Sequence, residues 1–393
     1  MGHANQPAIG LFYQRAGVPM RRSLVVAVAG VMLLGLATSG GSARASVFPG
    51  TNGKIAFSGP CPDDAWACVA VTIDPDGTDE TQITAVGGLG CEVWSPDGSK
   101  LLLCVWQGSP LSETRPATAT PDGSDFTLLD YYPELQQGLF CAYWSPNGAR
   151  WLCNSNDQVG DPPPPGAAGI YTVRSSDGGD RRQVISTPDG FFDVGRGYSP
   201  DGSRILFLRE DPFDHRALYA VNPDGTDPLR LSPPGLSIID LDFFEGLVDW
   251  SPDGSRVTFA ARDLSRRGSP RALYVVNADG TGLHQITPPG VGARSAQWSP
   301  NGRLIAFTNC CGAPQVWVVH PDGAGLREVT VPTRGSTSWT PVWSPDGTKL
   351  LFQRIDRDGS VALLTVNVDG TGLSKVTDLP DLRSYSWGTA PPS

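Results

Sequence analysis

The residues that could carry out acid–base or metal chemistry are few and widely spread. The chain has only four histidines, His3, His215, His284 and His320, and none stands near another. A zinc site needs His and Cys ligands at short spacing, and no Cys-x-x-Cys pair occurs. No Gly-x-Ser-x-Gly nucleophile elbow is present either. The densest chemistry is the run Asp240, Asp242, Phe243, Phe244, Glu245 and Asp249. Two aromatics among acids suit a contact hot spot. The alternative is enzymatic: Asp240, Asp242 or Glu245, with Arg294 or His215, could serve a polysaccharide lyase or hydrolase as acid and base. The first reading implies no catalytic residue, no metal and no cofactor. Phrases such as Asp74-Pro-Asp76-Gly-Thr-Asp79 look cation-binding, but they lack the sixth-place Gly and twelfth-place Glu of an EF-hand, and turn chemistry explains them.

The elements that must position these residues come from one repeated phrase. Trp-Ser-Pro-Asp/Asn-Gly begins at Trp94, Trp144, Tyr198 (the single Tyr variant), Trp250, Trp298 and Trp343, at intervals of 45 to 54 residues. A period near 50 marks an array of one supersecondary unit that cannot bury its own apolar face. Asp-Gly or Asn-Gly is a strong hairpin signal, because glycine accepts the positive φ of a tight turn. Short apolar runs such as Arg204-Ile-Leu-Phe207 and Lys349-Leu-Leu-Phe352 follow it and read as strands. A second Asp-Gly turn, at Asp76, Asp122, Asp177, Asp224, Asp279, Asp322 and Asp369, completes four strands per unit. The expected fold is therefore all-β, a propeller of four-stranded antiparallel blades.

Six phrases against seven second turns leave two fragments. Asn52-Gly-Lys-Ile-Ala-Phe57 is a second strand without a first, and Ser384-Tyr-Ser-Trp387-Gly388 a first strand without a second. Joined, they make a seventh blade that closes the ring and removes its open edges. A six-bladed alternative arises if Val47 and Phe48 form an inner strand of their own. The tryptophans, one per unit at one place, read as wedges between blades.

The Trp-Ser-Pro-Asp-Gly phrase, its trailing basic residue and aliphatic strand, and the Val-Asn-x-Asp-Gly-Thr turn (Asn277 to Thr281, Asn367 to Thr371) resemble TolB-type propeller repeats. The resemblance covers the chain from Asn52 onward. It implies the fold but no single activity, since such propellers occur as periplasmic interaction proteins, as non-catalytic halves of serine peptidases and in some polysaccharide lyases.

Residues 1–45 read as a secretory signal. Arg21 and Arg22 precede an apolar stretch from Leu24 to Leu36, and Ala43-Arg-Ala45 offers a small-x-small cleavage site. That stretch is short of the roughly 20 residues a spanning helix needs, so no stable membrane span is expected after cleavage. Residues 46–393 are the propeller, and seven units of about 50 residues account for them. Removing residues 1–45, with four arginines and no acids, takes the formal charge from −10 to −14. So acidic a chain argues against nucleic acid as a partner. The cluster Arg262, Arg266, Arg267 and Arg271 reads as a solvated loop.

Eight cysteines fit an oxidising, exported setting. Cys91 and Cys104 straddle one hairpin and Cys141 and Cys153 the next, so both pairs are expected to bridge. Cys61 and Cys68 bracket a loop and form a third candidate; Cys310 and Cys311 are adjacent.

Connections between strands one and two and between three and four keep nearly constant length, whereas the other set varies. The two sets open on opposite faces, and insertions confined to one face mark the working surface of a repeat protein. The variable set spans residues 106–115, 130–134, 154–168 and 210–216, the pair Phe191 and Phe192, and the stretch from Ile238 to Asp249, read as the longest link between blades. The expected function is binding of an extracytoplasmic protein, peptide or cell-wall ligand through Tyr131, Tyr132, Phe191, Phe192, Phe243 and Phe244, with Asp240, Asp242 and Glu245 beside them.

Overall fold

The computed structural model describes residues 47–59, 69–83, 91–106, 114–129, 139–155, 166–238, 248–266, 268–309, 312–333, 335–379 and 384–392. These form seven antiparallel sheets, the blades of a seven-bladed β-propeller. Blade 1 takes its innermost strand, Tyr385–Thr389, from the C-terminal end and its other three, Asn52–Ser58, Ala70–Ile73 and Thr81–Gln82, from near the N-terminal end. Ile55 pairs with Trp387 across this seam, and Trp387 Nε1 donates to the Gly53 carbonyl at 3.1 Å. The seam is sealed against blade 2 by Glu92, a buried carboxylate that accepts from the hydroxyls of Ser58 (2.8 Å) and Ser384. Gly388 is required there, because any Cβ would overlap the Trp94 ring.

The phrase Trp-Ser-Pro-Asp-Gly is explained by its turn. In blade 2 Ser95 Oγ donates to Asp97 Oδ1 (2.6 Å), which also accepts from the Ser99 N–H (3.0 Å), while Ser95 Oγ accepts from the Lys100 N–H (2.9 Å). Ser199 with Asp201 and Ser251 with Asp253 repeat the arrangement. The glycine sits at φ 69° in blade 2 and 74° in blade 4, a conformation that penalises any Cβ. The tryptophans are the wedges expected: Trp94, Trp144, Trp250, Trp298 and Trp343 are all buried. Residues just before them stitch blade to blade, Asp249 Oδ2 accepting from the Trp298 N–H (2.7 Å) and Gln297 Oε1 from the Trp343 N–H (3.0 Å).

Inner strands share a bulge two or three residues before the phrase. The register shifts between Cys141 and Tyr143, Gly195 and Gly197, Arg294 and Gln297, and Trp339 and Val342. In blade 5 the same site carries a longer interruption. Leu236–Ile238 and Val248–Trp250 both pair with Arg256–Asp263, so Ile238 opposes Ala261 and Val248 opposes Phe259. The stretch from Ile238 to Asp249 is therefore not a link between blades. It interrupts one inner strand, where the extra residues replace a single-residue bulge.

Two further expectations are corrected. Val47 and Phe48 form no strand; both are partly buried, Val47 against the core cluster that includes Val342 and Tyr385 and Phe48 against the one that includes Val93 and Trp144. The arginine cluster is not uniformly solvated, since Arg271 is buried while Arg266 remains exposed beside Asp263. Both hairpin disulfides are formed, Cys91–Cys104 and Cys141–Cys153, the latter between direct cross-strand partners. Cys61, Cys68, Cys310 and Cys311 lie outside the described residues.

Candidate functional site

Of the candidate contact residues, Phe191 and Phe192 fall within the described residues; Tyr131, Tyr132, Phe243, Phe244, Asp240, Asp242 and Glu245 do not. Phe192 opens the inner strand of blade 4, Phe192–Tyr198, and is partly buried opposite Glu210. Phe191, at the end of the link from blade 3, is 38 % exposed. Phe213, on the adjoining loop, is 77 % exposed and the most exposed large apolar residue described. The two loops lie side by side, so that a Cβ added to Gly190 would stand 3.6 Å from Pro212 Cγ.

The Phe213 loop is built by its own sequence. Asp211 Oδ1 accepts from the N–H groups of Phe213 (2.8 Å) and His215 (3.0 Å), and Asp214 adopts φ 63°, as Asp tolerates better than most residues. Burial pushes the Asp211 carboxyl up, but these N–H groups and the His215 ring outweigh it, and its pKa lies below the usual range. The His215 Nδ1···Asp211 Oδ2 distance is 3.2 Å, so ring and carboxylate form an exposed pair on the loop. This pair orders the loop that presents Phe213.

Beneath the aromatics the charges are paired off. Arg209 makes a two-pronged bond to Asp193, Nε to Oδ1 and Nη2 to Oδ2, both 2.7 Å, and Asp193 is fully buried. Asp193 thereby holds the guanidinium charged more firmly than usual, and the same guanidinium lies over the Phe207 and Tyr219 rings at 5.6 and 5.8 Å. Arg216 Nε bonds Glu210 Oε2 at 2.7 Å. Arg196, the bulge residue, is buried; desolvation pulls its pKa below the usual arginine value against a hydrogen bond with Tyr143. Gly195 beside it allows the close approach of blade 3, since a Cβ there would meet Leu152 Cδ2 at 2.9 Å. The rigid, self-neutralised strand ends thus carry two aromatics outward.

Phe213 was legible only as part of the variable run 210–216. The signal for it is Asp-Pro-Phe-Asp-His, an aromatic between turn formers. Asp249, grouped by sequence with the surface acids, is instead buried at the blade 5–6 stitch. His284 bridges the carbonyls of Gly282 (2.9 Å) and Pro321 (3.0 Å), and His320 Nδ1 lies 3.0 Å from the Arg303 carbonyl oxygen, so both serve turns. Arg294 opens the inner strand of blade 6, and its buried Nε has no hydrogen-bond partner among the described residues.

Ring closure, blade number and turn chemistry define the class of protein, a closed seven-bladed β-propeller. Its repeats are TolB-like: residues 241–388 match the family described as TolB beta propeller domain. TolB from Acinetobacter baumannii is similar over 85 % of this chain and 82 % of its own, with a TM-score of 0.51 at 14 % identity. The β-propeller domain of the Trilobed protease from Pyrococcus furiosus, reported to have an open velcro topology, gives 0.59 at 13 % identity over 86 % of this chain and 98 % of that domain. A puromycin-hydrolyzing peptidase of Mycobacterium tuberculosis gives 0.56 at 17 % identity over 86 % of this chain and 57 % of its own. This chain thus spans little more than half that peptidase. No curated relative matches the sequence. At these identities the structural likenesses establish the fold alone.

Proposed function

We propose that the chain is an exported, non-catalytic binding protein, with residues 1–45 as its secretory signal and the variable face as its contact surface for a protein, peptide or cell-wall ligand. The observation that carries the reading is the exposure of both Phe191 and Phe213 on two adjoining loops of blade 4, at the ends of strands whose own charges are already satisfied. Exposed aromatics on a rigid support lose little entropy on binding and dominate interface energetics. Export is supported by two disulfides in a chain with a signal-like leader. The resemblance of the repeats to TolB-type propellers, which include periplasmic interaction proteins, points the same way.

The test uses residues 46–393 as bait on envelope extract, against a variant carrying Phe191→Ser and Phe213→Ser. A partner retained by the native protein and lost by the variant is the expected result. Equal capture by both would remove the binding site from blade 4. Mass spectrometry of the exported protein is expected to show an N-terminus at Ser46; a protein retained inside the cell with residues 1–45 attached would overturn the export reading.

A further inference from the structure

Tyr198 is the one aromatic of the six phrases that is not tryptophan, and the contact surface on the variable face makes no use of it. The five tryptophans are buried, whereas Tyr198 is only partly so, and three of the indoles are engaged by the preceding blade. Trp144 and Trp343 donate from Nε1 to the carbonyls of Val93 (3.1 Å) and Gln297 (3.0 Å), and the Arg256 guanidinium covers the Trp298 ring at 4.9 Å. Both devices are missing where blade 3 meets blade 4. Tyr198 has no indole N–H. Arg150, which occupies in blade 3 the place of Arg256, is drawn instead to Asp180, Nη1 to Oδ2 at 2.8 Å, and to the Thr172 carbonyl at 3.0 Å.

A cavity of about 880 Å³ opens at that boundary, on the face carrying the Asp-Gly turns and so opposite to Phe191 and Phe213. The volume lies within the ~300–1,000 Å³ typical of small-molecule sites. Its lining combines the Tyr198 ring with Pro146 and Pro223, an apolar surface, and with polar groups whose capacity is partly unused. Arg182 binds Asp180 through Nε and Nη2, leaving Nη1 free among the described residues. Gln183 uses only Nε2, toward the Gly166 and Ala168 carbonyls, leaving Oε1. Asp224 uses only Oδ1, in its own turn. The Tyr198 hydroxyl is buried without a hydrogen-bond partner. Formal charge in the lining cancels, Arg150 and Arg182 standing against Asp201 and Asp224.

We infer that this cleft is a second binding site, for a neutral, hydroxyl-rich ligand of the saccharide class. Each sugar hydroxyl both donates and accepts, which matches a lining with free donors and free acceptors side by side. The C–H face of a sugar ring packs on an aromatic or proline surface, and Tyr198 supplies it where tryptophan in the other blades is committed to a wedge. A polyanion is disfavoured by the two carboxylates, and a cation by the two guanidinium groups.

The test is calorimetric titration of residues 46–393 with maltotriose, cellotriose and chitotriose, and with trigalacturonate as the charged control. The native protein is expected to bind at least one neutral trisaccharide saturably and at least tenfold more tightly than trigalacturonate. Tyr198→Trp, which restores the repeat residue, is expected to weaken that binding at least tenfold. The pair Arg182→Ala with Gln183→Ala, both on exposed side chains, provides the same readout should the tryptophan variant fail to fold. No saturable binding to any neutral member, unchanged affinity in the folded variants, or equal binding of trigalacturonate would each overturn the inference. Because the cleft and the aromatic face are opposite, loss of sugar binding is expected to leave capture through Phe191 and Phe213 intact.

Discussion

Removing Asp193 should loosen the end of blade 4 that presents Phe191 and Phe213. Asp193 is 0 % exposed and its partner Arg209 25 %, and they are direct cross-strand partners joined by two bonds of 2.7 Å. Breaking a fully buried pair by deleting one member costs about 3–5 kcal/mol, because a charge is left without compensation. The quarter of Arg209 that reaches water places Asp193→Ala at the lower end, ~3 kcal/mol. An unfolding entropy of ~2.1 cal/mol/K per residue over about 350 residues gives ~0.7 kcal/mol/K, so ~3 kcal/mol lowers Tm by about 4 °C. Arg209→Met should cost at least as much as Asp193→Ala, since it takes a two-pronged partner from a carboxylate with no access to water. The two changes together should cost less than their sum, by at least 1 kcal/mol of coupling. Chemical denaturation of the four proteins of this cycle provides the numbers. Additivity within ~0.5 kcal/mol would refute the claim that this pair secures the strand ends.

Three further outcomes are expected. Asp122, hydrogen-bonded by Thr120, and Asp253, hydrogen-bonded by Ser251, both have carboxyl pKa values lowered to about 2. Since the unfolded value is ~3.9, their contribution is complete above that pH and is lost as pH falls toward 2. Thermal scans should show Tm nearly flat from pH 7 to 5 and falling below 4, less steeply in Asp253→Asn, which keeps the turn acceptor without titrating; a flat profile to pH 2 would contradict this. Asp249→Ala removes the acceptor for the buried Trp298 N–H and should cost about 1–3 kcal/mol in denaturant unfolding, whereas an exposed surface acid would cost almost nothing. Replacing Cys141 and Cys153 together with serine opens a loop of separation 12 and should cost ~2–3 kcal/mol, read as a Tm drop of about 3–4 °C, smaller than the drop reducing agent causes in the native protein because reduction opens Cys91–Cys104 as well.

Sequence by itself determined the blade and favoured seven of them with a shared closing blade, leaving a six-bladed ring open until Val47 and Phe48 proved to form no strand. These follow from local chemistry repeated at a fixed period: a serine hydroxyl and an Asp carboxylate that close a turn, a glycine at positive φ, and an aliphatic strand after it. The unmatched halves at Asn52–Phe57 and Ser384–Gly388 pointed to a shared blade because an open edge leaves unpaired N–H and C=O groups. Hairpin disulfides were legible for the same reason, since each pair of cysteines flanks a known turn. What only the tertiary structure decided lies between units, where no period speaks. The interruption before Val248 reads as a link in sequence and proves to divide one strand, because both of its flanks pair with Arg256–Asp263. Asp249 looks like a surface acid until Trp298 of the next blade is seen to donate to it. Phe213 gains its meaning from Gly190 lying beside Pro212, and Tyr198 from the space left beside Arg150. Contacts across blades depend on how consecutive units pack round the ring, and that geometry is set jointly by all seven.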